Sequence, residues 1–325
     1  MTDNTKNNAD GFAPVIFPPR DVPLVGSDGM RVNRLLPQRS VSLIGGWCFL
    51  DHFGPGEPAM RVAGHPHTGL QTVTWLFSGS VRHKDALGTD IVVQPGELNL
   101  MTSGRAISHT EYSQGSEPLH GVQLWTALPS EHRFTESHFE HFIPEPERVG
   151  DHELAVFIGE LVGANSPVRV YSPMVGAEIR FASTEAAVIP VNETWQYGIF
   201  ADSGPVTVNG HVIPAGHLAY FEPGETKLRL SAELEGEHPV RAILIGGEPV
   251  DEEIIMWWNL IARENDEIVD WRSNWQTAIG VEDGGDPEMF LPLVERTNDD
   301  PEIPAPKLPP GKIHPRQAPV FRRRP

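Results

Sequence analysis

Between about residues 60 and 128, apolar and polar positions alternate in short bursts. QTVTWLF, SVRHKD, DIVVQ, LNLM, ISHTEY and GVQLWTAL show the period of two that sends successive side chains to opposite faces of a strand. Leu87-Gly88, Pro95-Gly96 and Ser103-Gly104 separate them as turns. Short strands with no helical stretch between them predict a sandwich or barrel, and argue against a parallel βαβ fold. A second series repeats the pattern: LAVFIGELVG, VRVYSP, EIRFAS, AAVIPV, YGIFA, PVTVNG, LAYF and KLRLSA. Residues 133–148, rich in Glu, His, Phe and Pro, predict a linker or domain crossing between the two. Pro95-Gly96-Glu97-Leu98 is echoed by Ala215-Gly216-His217-Leu218, and a Gly and Val pair precedes each turn by about a strand (Gly79 and Val81, Gly204 and Val206). This internal similarity predicts a duplicated β domain.

Helical periodicity appears late. DEEIIMWWNLIAR, residues 251–263, opens with three acids suited to a helix N-terminus and closes on Arg263. A second helix is predicted from Asn265-Asp266-Glu267, with Ile268, Trp271, Trp275 and Ile279 on one face and Gly280 as its stop. Its Trp stripe predicts packing on a β domain. Beyond residue 281 the Pro-rich sequence predicts an extended arm.

Composition agrees with many turns and few helices, since Gly and Pro number 31 each among 325 residues. A balance of 25 Lys plus Arg against 44 Asp plus Glu, net charge -19, argues against direct binding to nucleic acid, which rests on clustered cations. The one basic cluster, the terminal RRRP, reads as a solvated end. The polar start, MTDNTKNNAD, lacks the apolar core of a signal peptide. No apolar run approaches the roughly 18 residues of a membrane span. With Cys48 the only cysteine, internal disulfides and Cys-rich metal sites are excluded, and a reducing cytoplasm is the expected location.

The chemistry lies in His65-Pro66-His67 and His109-Thr110-Glu111. Residues two apart on a strand share a face, so each triplet offers two ligands from one side. Two such pairs on facing strands converge on one point. Three neutral imidazoles and a carboxylate suit iron, manganese, nickel, copper or zinc and leave positions open for water, oxygen or substrate. His83 and His120 flank the same strands as supporting or core residues. His138 and His141 read as solvated.

GHPHTGLQTVTWLFSGSVRHKDALG, QPGELNLMTSGRAISHTE and HGVQLWTALP resemble the pirin family of bicupins, in a match running from Arg31 to Trp275. The first is similar to that family's HPHRG(F/L)ETVTY signature and the second to GDVQWMTAGRGIxHSE. IIMWWNLIARENDEIVDW is similar to a helix that closes many bacterial members. The resemblance implies an all-β fold of two cupin (double-stranded β-helix, jelly-roll) domains face to face, with short C-terminal helices. Residues 1–140 would form a metal-binding cupin. Residues 141–325 would form a metal-free one with the helices and the arm, in keeping with a second series where His217 stands alone. The implied metal is non-haem iron(II), with other divalent transition metals as alternatives, held by His65, His67, His109 and Glu111. Gln71 departs from the family, which usually carries Glu there, and Gln cannot act as a base. Arg105-Ala106 stands where Gly is common after the Arg.

By this resemblance the chain is expected to be a dioxygenase cleaving flavonols such as quercetin, with Glu111 as both ligand and catalytic proton acceptor, and with Gln71 and Trp75 as candidate substrate-positioning residues. The alternatives are a redox-sensitive, metal-dependent regulator that binds another protein without turnover, and a cupin isomerase or binding protein with the same ligands. The expected partners are a small aromatic substrate or a protein, with no nucleic acid or membrane.

Overall fold

The structure, a computed structural model, describes residues 13–315 apart from 25, 27, 28, 57, 58 and 235–238. The polar start and the basic RRRP end lie outside the described residues. In the first half the strands are β1 (Val15–Phe17), β2 (Arg20–Pro23), β3 (Arg31–Leu36), β4 (Trp47–Gly56), β5 (Arg61–His67), β6 (Leu70–Ser78), β7 (Ser80–Asp85), β8 (Asp90–Val93), β9 (Leu98–Thr102), β10 (Ile107–Gln114), β11 (Leu119–Ala127) and β12 (His138–Phe142). The second half contributes β13 (Glu147–Val149), β14 (His152–Ile158), β15 (Glu160–Leu161), β16 (Ala164–Asn165), β17 (Met174–Phe181), β18 (Ala187–Pro190), β19 (Gln196–Ala201), β20 (Val206–Val208), β21 (His211–Ile213), β22 (Leu218–Phe221), β23 (Lys227–Ala232) and β24 (Val240–Gly247).

These strands build two antiparallel sandwiches of the same design. A seven-stranded sheet in the order β12-β9-β6-β11-β4-β3-β2 faces a four-stranded sheet β5-β10-β7-β8. In the second half β1-β22-β19-β24-β17-β14-β13 faces β18-β23-β20-β21. Strand for strand the orders correspond, except that the end strands are exchanged: β1, from the start of the chain, closes the second half's sheet. The duplication predicted from the turn echo is present. Residues 94–97 and 214–217 are four-residue links at equivalent places, each with a Gly at positive φ (78° for Gly96, 75° for Gly216).

The two large sheets pack on each other, as the alternation of their strands requires: each must bury two apolar faces, one inward and one on its partner. One continuous core joins Trp47, Leu50, Trp75 and Leu124 of the first sheet to Phe157, Phe200, Tyr220 and Ile245 of the second. Polar atoms at this seam are matched. Trp47 Nε1 donates to the carbonyls of Val175 (3.1 Å) and Gly246 (3.2 Å), and Trp75 Nε1 donates to Glu178 Oε2 (2.8 Å).

The structure corrects three sequence expectations. Residues 251–263 form a hairpin instead of a helix, β25 (Ile255–Trp257) with β26 (Leu260–Ala262). Trp258, at φ 52°, makes the turn. A single α-helix follows, α1 (Asn265–Ala278), capped reciprocally by Glu264 and Glu267 and ended by Gly280 at φ 73°. Ile268, Trp271 and Trp275 are its buried face, and only a short 3-10 turn, Pro287–Phe290, adds to it. Within the stretch read as a linker, β12 pairs with β9. VRVYSP is not a strand; Pro167 and Pro173 bracket it and remove ladder donors.

The C-terminal arm is extended and lies against the first sandwich. Val294 N donates to Ser108 Oγ (2.9 Å), Tyr112 Oη to Asp300 Oδ2 (2.8 Å), and Ile303 N to the Gly64 carbonyl (2.7 Å).

Candidate metal centre

Strands β5 and β10 are neighbours, with His109 opposite His65 and Ile107 opposite His67. A register shift between His109 and Glu111 re-aims the carboxylate relative to the imidazole, as a bulge does beside many sites. After His67 the chain turns sharply at Gly69, φ 67°. A Cβ there would stand 2.4 Å from the Ile261 carbonyl oxygen, so the Thr68-Gly69 pair holds the histidine strand against the hairpin only because the residue is glycine.

His65, His67 and His109 are buried, and their ligand atoms lie within 4.8 Å of one another. His67 Nε2 is 3.1 Å from His109 Nε2, and the His65 ring centre is 4.3 Å from that of His109. His65 Nδ1 donates to the Ala63 carbonyl (2.9 Å), which fixes the tautomer and leaves Nε2 with a free lone pair. Burial lowers the pKa of all three, most for His67 and His109, and for these two the neighbouring imidazoles add to the effect. They are thus kept neutral, the form that binds a metal.

Glu111 is buried on the same wall but stands apart from the three-imidazole group, clustering instead with His83 and His109. Its carboxylate accepts from Gln123 Nε2 (2.8 and 2.9 Å) and from Thr74 Oγ1 (3.1 Å). His83 Nδ1 lies 3.4 Å from His109 Nδ1, and its Nε2 lies 3.5 Å from Asp85 Oδ2. His65, Glu111 and Gln123 line a cavity that Phe49 and Trp125 also wall, stacked with ring centres 4.0 Å apart. Arg34 lies over Phe49 (4.6 Å) and pairs with both oxygens of Asp51 at 2.8 Å. Ile303 of the arm contributes to the opposite rim.

Other sequence candidates are elsewhere. Gln71 is buried away from this cavity, its Nε2 donating to Thr102 Oγ1 (2.8 Å) and the Arg169 carbonyl (2.9 Å), and its Oε1 accepting from Thr126 Oγ1. Trp75 is a seam residue. Neither can touch a substrate at the imidazoles. His120 also lies at the seam. His138 and His141 meet Thr102 and Glu97, so both are engaged as well as partly solvated. In the second sandwich His217 is half-buried, bonded only to the Ala215 carbonyl (3.0 Å). Sequence reading missed Gln123 and Thr74; the available signal was a polar side chain within otherwise apolar strands.

Comparison with known proteins agrees with this anatomy. The pirin family model matches residues 29–126, and the model of the pirin C-terminal cupin domain matches residues 176–279. A Pseudomonas aeruginosa protein that carries the provisional name quercetin 2,3-dioxygenase is 37% identical over 255 residues, 76% of this chain and 79% of that one. Human pirin is 30% identical over 251 residues, 74% of this chain and 84% of that one. The crystal structure of quercetin 2,3-dioxygenase from Acinetobacter baumannii superposes with a TM-score of 0.80 at 34% identity, covering 93% of this chain and 97% of that one. With both cupins matched in sequence and in architecture, the chain belongs to the pirin family.

Proposed function

We propose that this pirin-family protein is a non-haem iron dioxygenase that cleaves flavonols such as quercetin. The observation that carries the reading is the convergence of three neutral imidazoles beside a cavity that one of them, His65, lines together with a tethered carboxylate and a stacked aromatic wall. The donor set fits the metal: His67 and His109 point their Nε2 atoms at each other across 3.1 Å, and His65 is locked with its Nε2 free.

His65, His67 and His109 would hold iron(II) as neutral ligands, with Glu111 completing the set. Iron, when bound, supplies Lewis acidity and one-electron chemistry. The protein's own part is positioning and proton transfer. Trp125, with the Phe49 ring stacked against it, gives the cavity an aromatic wall suited to a fused aromatic ring system. Glu111 takes the proton of the substrate's enolisable hydroxyl on a carboxylate oxygen that Gln123 and Thr74 keep aimed. Burial keeps bulk water from competing. The relatives named for quercetin 2,3-dioxygenase support the substrate class.

The one cysteine of the sequence, Cys48, is buried with its thiol donating to the Trp125 carbonyl (3.4 Å), and a chain with one cysteine forms no internal disulfide, which accords with a reducing cytoplasm. Among the described residues no helix is long and apolar enough to cross a membrane.

The test is oxygen uptake by iron-loaded protein over a panel of flavonols. Consumption is expected with quercetin, and none when its enolisable hydroxyl is methylated. If no flavonol drives uptake and iron instead controls binding to a protein partner, the regulatory reading replaces this one.

A further inference from the structure

A second convergence of ligand groups lies at the seam, outside the cavity described above. His52 on β4, His120 on β11 and Asp202, just after β19, are all buried. His52 Nε2 and His120 Nε2 stand 3.0 Å apart. Asp202 Oδ1 lies 2.8 Å from the second and 3.1 Å from the first. The three atoms therefore form a nearly equilateral triangle.

Hydrogen bonds alone do not satisfy all three edges. A carboxylate oxygen only accepts, and a neutral imidazole carries one proton. When both Nε2 atoms donate to Oδ1, two N–H groups confront each other at 3.0 Å; when one does not, its lone pair faces the carboxylate. A cation above the triangle resolves the conflict, because all three atoms then present lone pairs to it. Neighbouring ligand atoms on an octahedral ion with bonds of 2.0–2.2 Å sit roughly 2.8–3.1 Å apart, the spacing already present. The surroundings fix the donors. The His120 ring packs edge-on against Phe77, and the His52 ring against Phe200. Asp202 Oδ2 faces Arg241 Nε at 3.6 Å, which leaves Oδ1 to the histidines.

We infer that His52, His120 and Asp202 form a second binding site for a divalent transition-metal ion, located between the two cupins. Two imidazoles and one carboxylate on one side of an ion leave the remaining positions to water, a set that suits zinc, iron(II), cobalt or nickel. Two ligands belong to the first sandwich and one to the second, so the ion fastens the domains to each other. The inference does not depend on the flavonol reading, because no ligand is shared with the cavity.

The experiment uses the full chain carrying His65→Ala and His109→Ala, stripped with a chelator and titrated with zinc chloride. One equivalent of zinc is expected to bind and to raise the unfolding temperature, and adding Asp202→Asn should abolish both effects. Wild-type protein should take up two equivalents and Asp202→Asn alone should take up one, a comparison that stands even if the double variant folds poorly. Equal zinc uptake with and without Asp202→Asn in both backgrounds overturns the site.

Discussion

The two cupins share one strand order and differ in what their inward positions carry. In the first, the neighbours β5 and β10 bring the imidazoles of His65, His67 and His109 together and place His65 and Glu111 on the wall of a cavity. In the second, the equivalent neighbours β18 and β23 bury Ala187, Ile189, Leu228 and Leu230 in an apolar cluster. One interior is kept open for chemistry and the other is packed solid. The difference extends outward, since the hairpin and the arm pack on the first domain, with Ile261 in one cluster with Leu70 and Trp125 and Ile303 N donating to the Gly64 carbonyl. Topology supplies the place, and a handful of side chains decides whether anything happens there.

The contrast breaks most visibly if the first cavity is emptied. Replacing His65 and His109 by Ala should cost one full equivalent of bound metal relative to wild type and reduce oxygen uptake to background, while the far-ultraviolet spectrum stays native. Elemental analysis showing unchanged metal would sink the assignment. Next in size, Glu111→Gln should lower kcat by about 100-fold or more while leaving KM near the wild-type value, because it removes a proton acceptor and keeps an oxygen of similar position. Equal losses in both constants would mark Glu111 as a binding residue only.

The seam gives a smaller effect. Trp75→Phe removes the donor to Glu178 Oε2 and should destabilise the fold by about 2 kcal/mol, read as a lower urea midpoint with metal content intact. The smallest effect is expected in the packed domain. His217→Ala should leave metal and turnover unchanged and alter stability by no more than about 0.5 kcal/mol. Loss of metal there would mean that the second domain shares the first domain's work.

Local periodicity made much of this legible. Strand alternation placed His65 with His67 and His109 with Glu111, and the turn echo disclosed the repeat. The C-terminal hairpin was hidden because DEEIIMWWNLIAR has no Gly or Pro to mark a turn, and its reversal rests on Trp258 adopting a positive φ, which side chains with a Cβ rarely do. Strand β4 escaped notice for a different reason. WCFLDHF is buried on both faces and carries apolar residues on each, with Asp51 and His52 adjacent in its middle, so it lacks alternation. His52 was overlooked with it. Its meeting with Asp202 joins residues 150 positions apart, and no local rule signals such an encounter. Gln71 misled because its position in the motif suggested contact with the substrate, whereas its amide is used between the domains.

The exchange of end strands has a consequence for how the molecule comes into being. Strand β1 is the first described strand to leave the ribosome, yet its partner, β22, is made about two hundred residues later. Until then β1 has no ladder to join, and once β22 appears the sheet it completes still needs that early segment to cover its edge. The second half can therefore not be excised as one uninterrupted stretch of chain, whereas the strands of the first, β2 to β12, run consecutively. A fragment holding only the second cupin would expose the edge of β22, an invitation to pair with another copy. Supplying residues 13–24 as a separate peptide should protect that edge in trans, so an early segment of the chain serves a domain translated well after it.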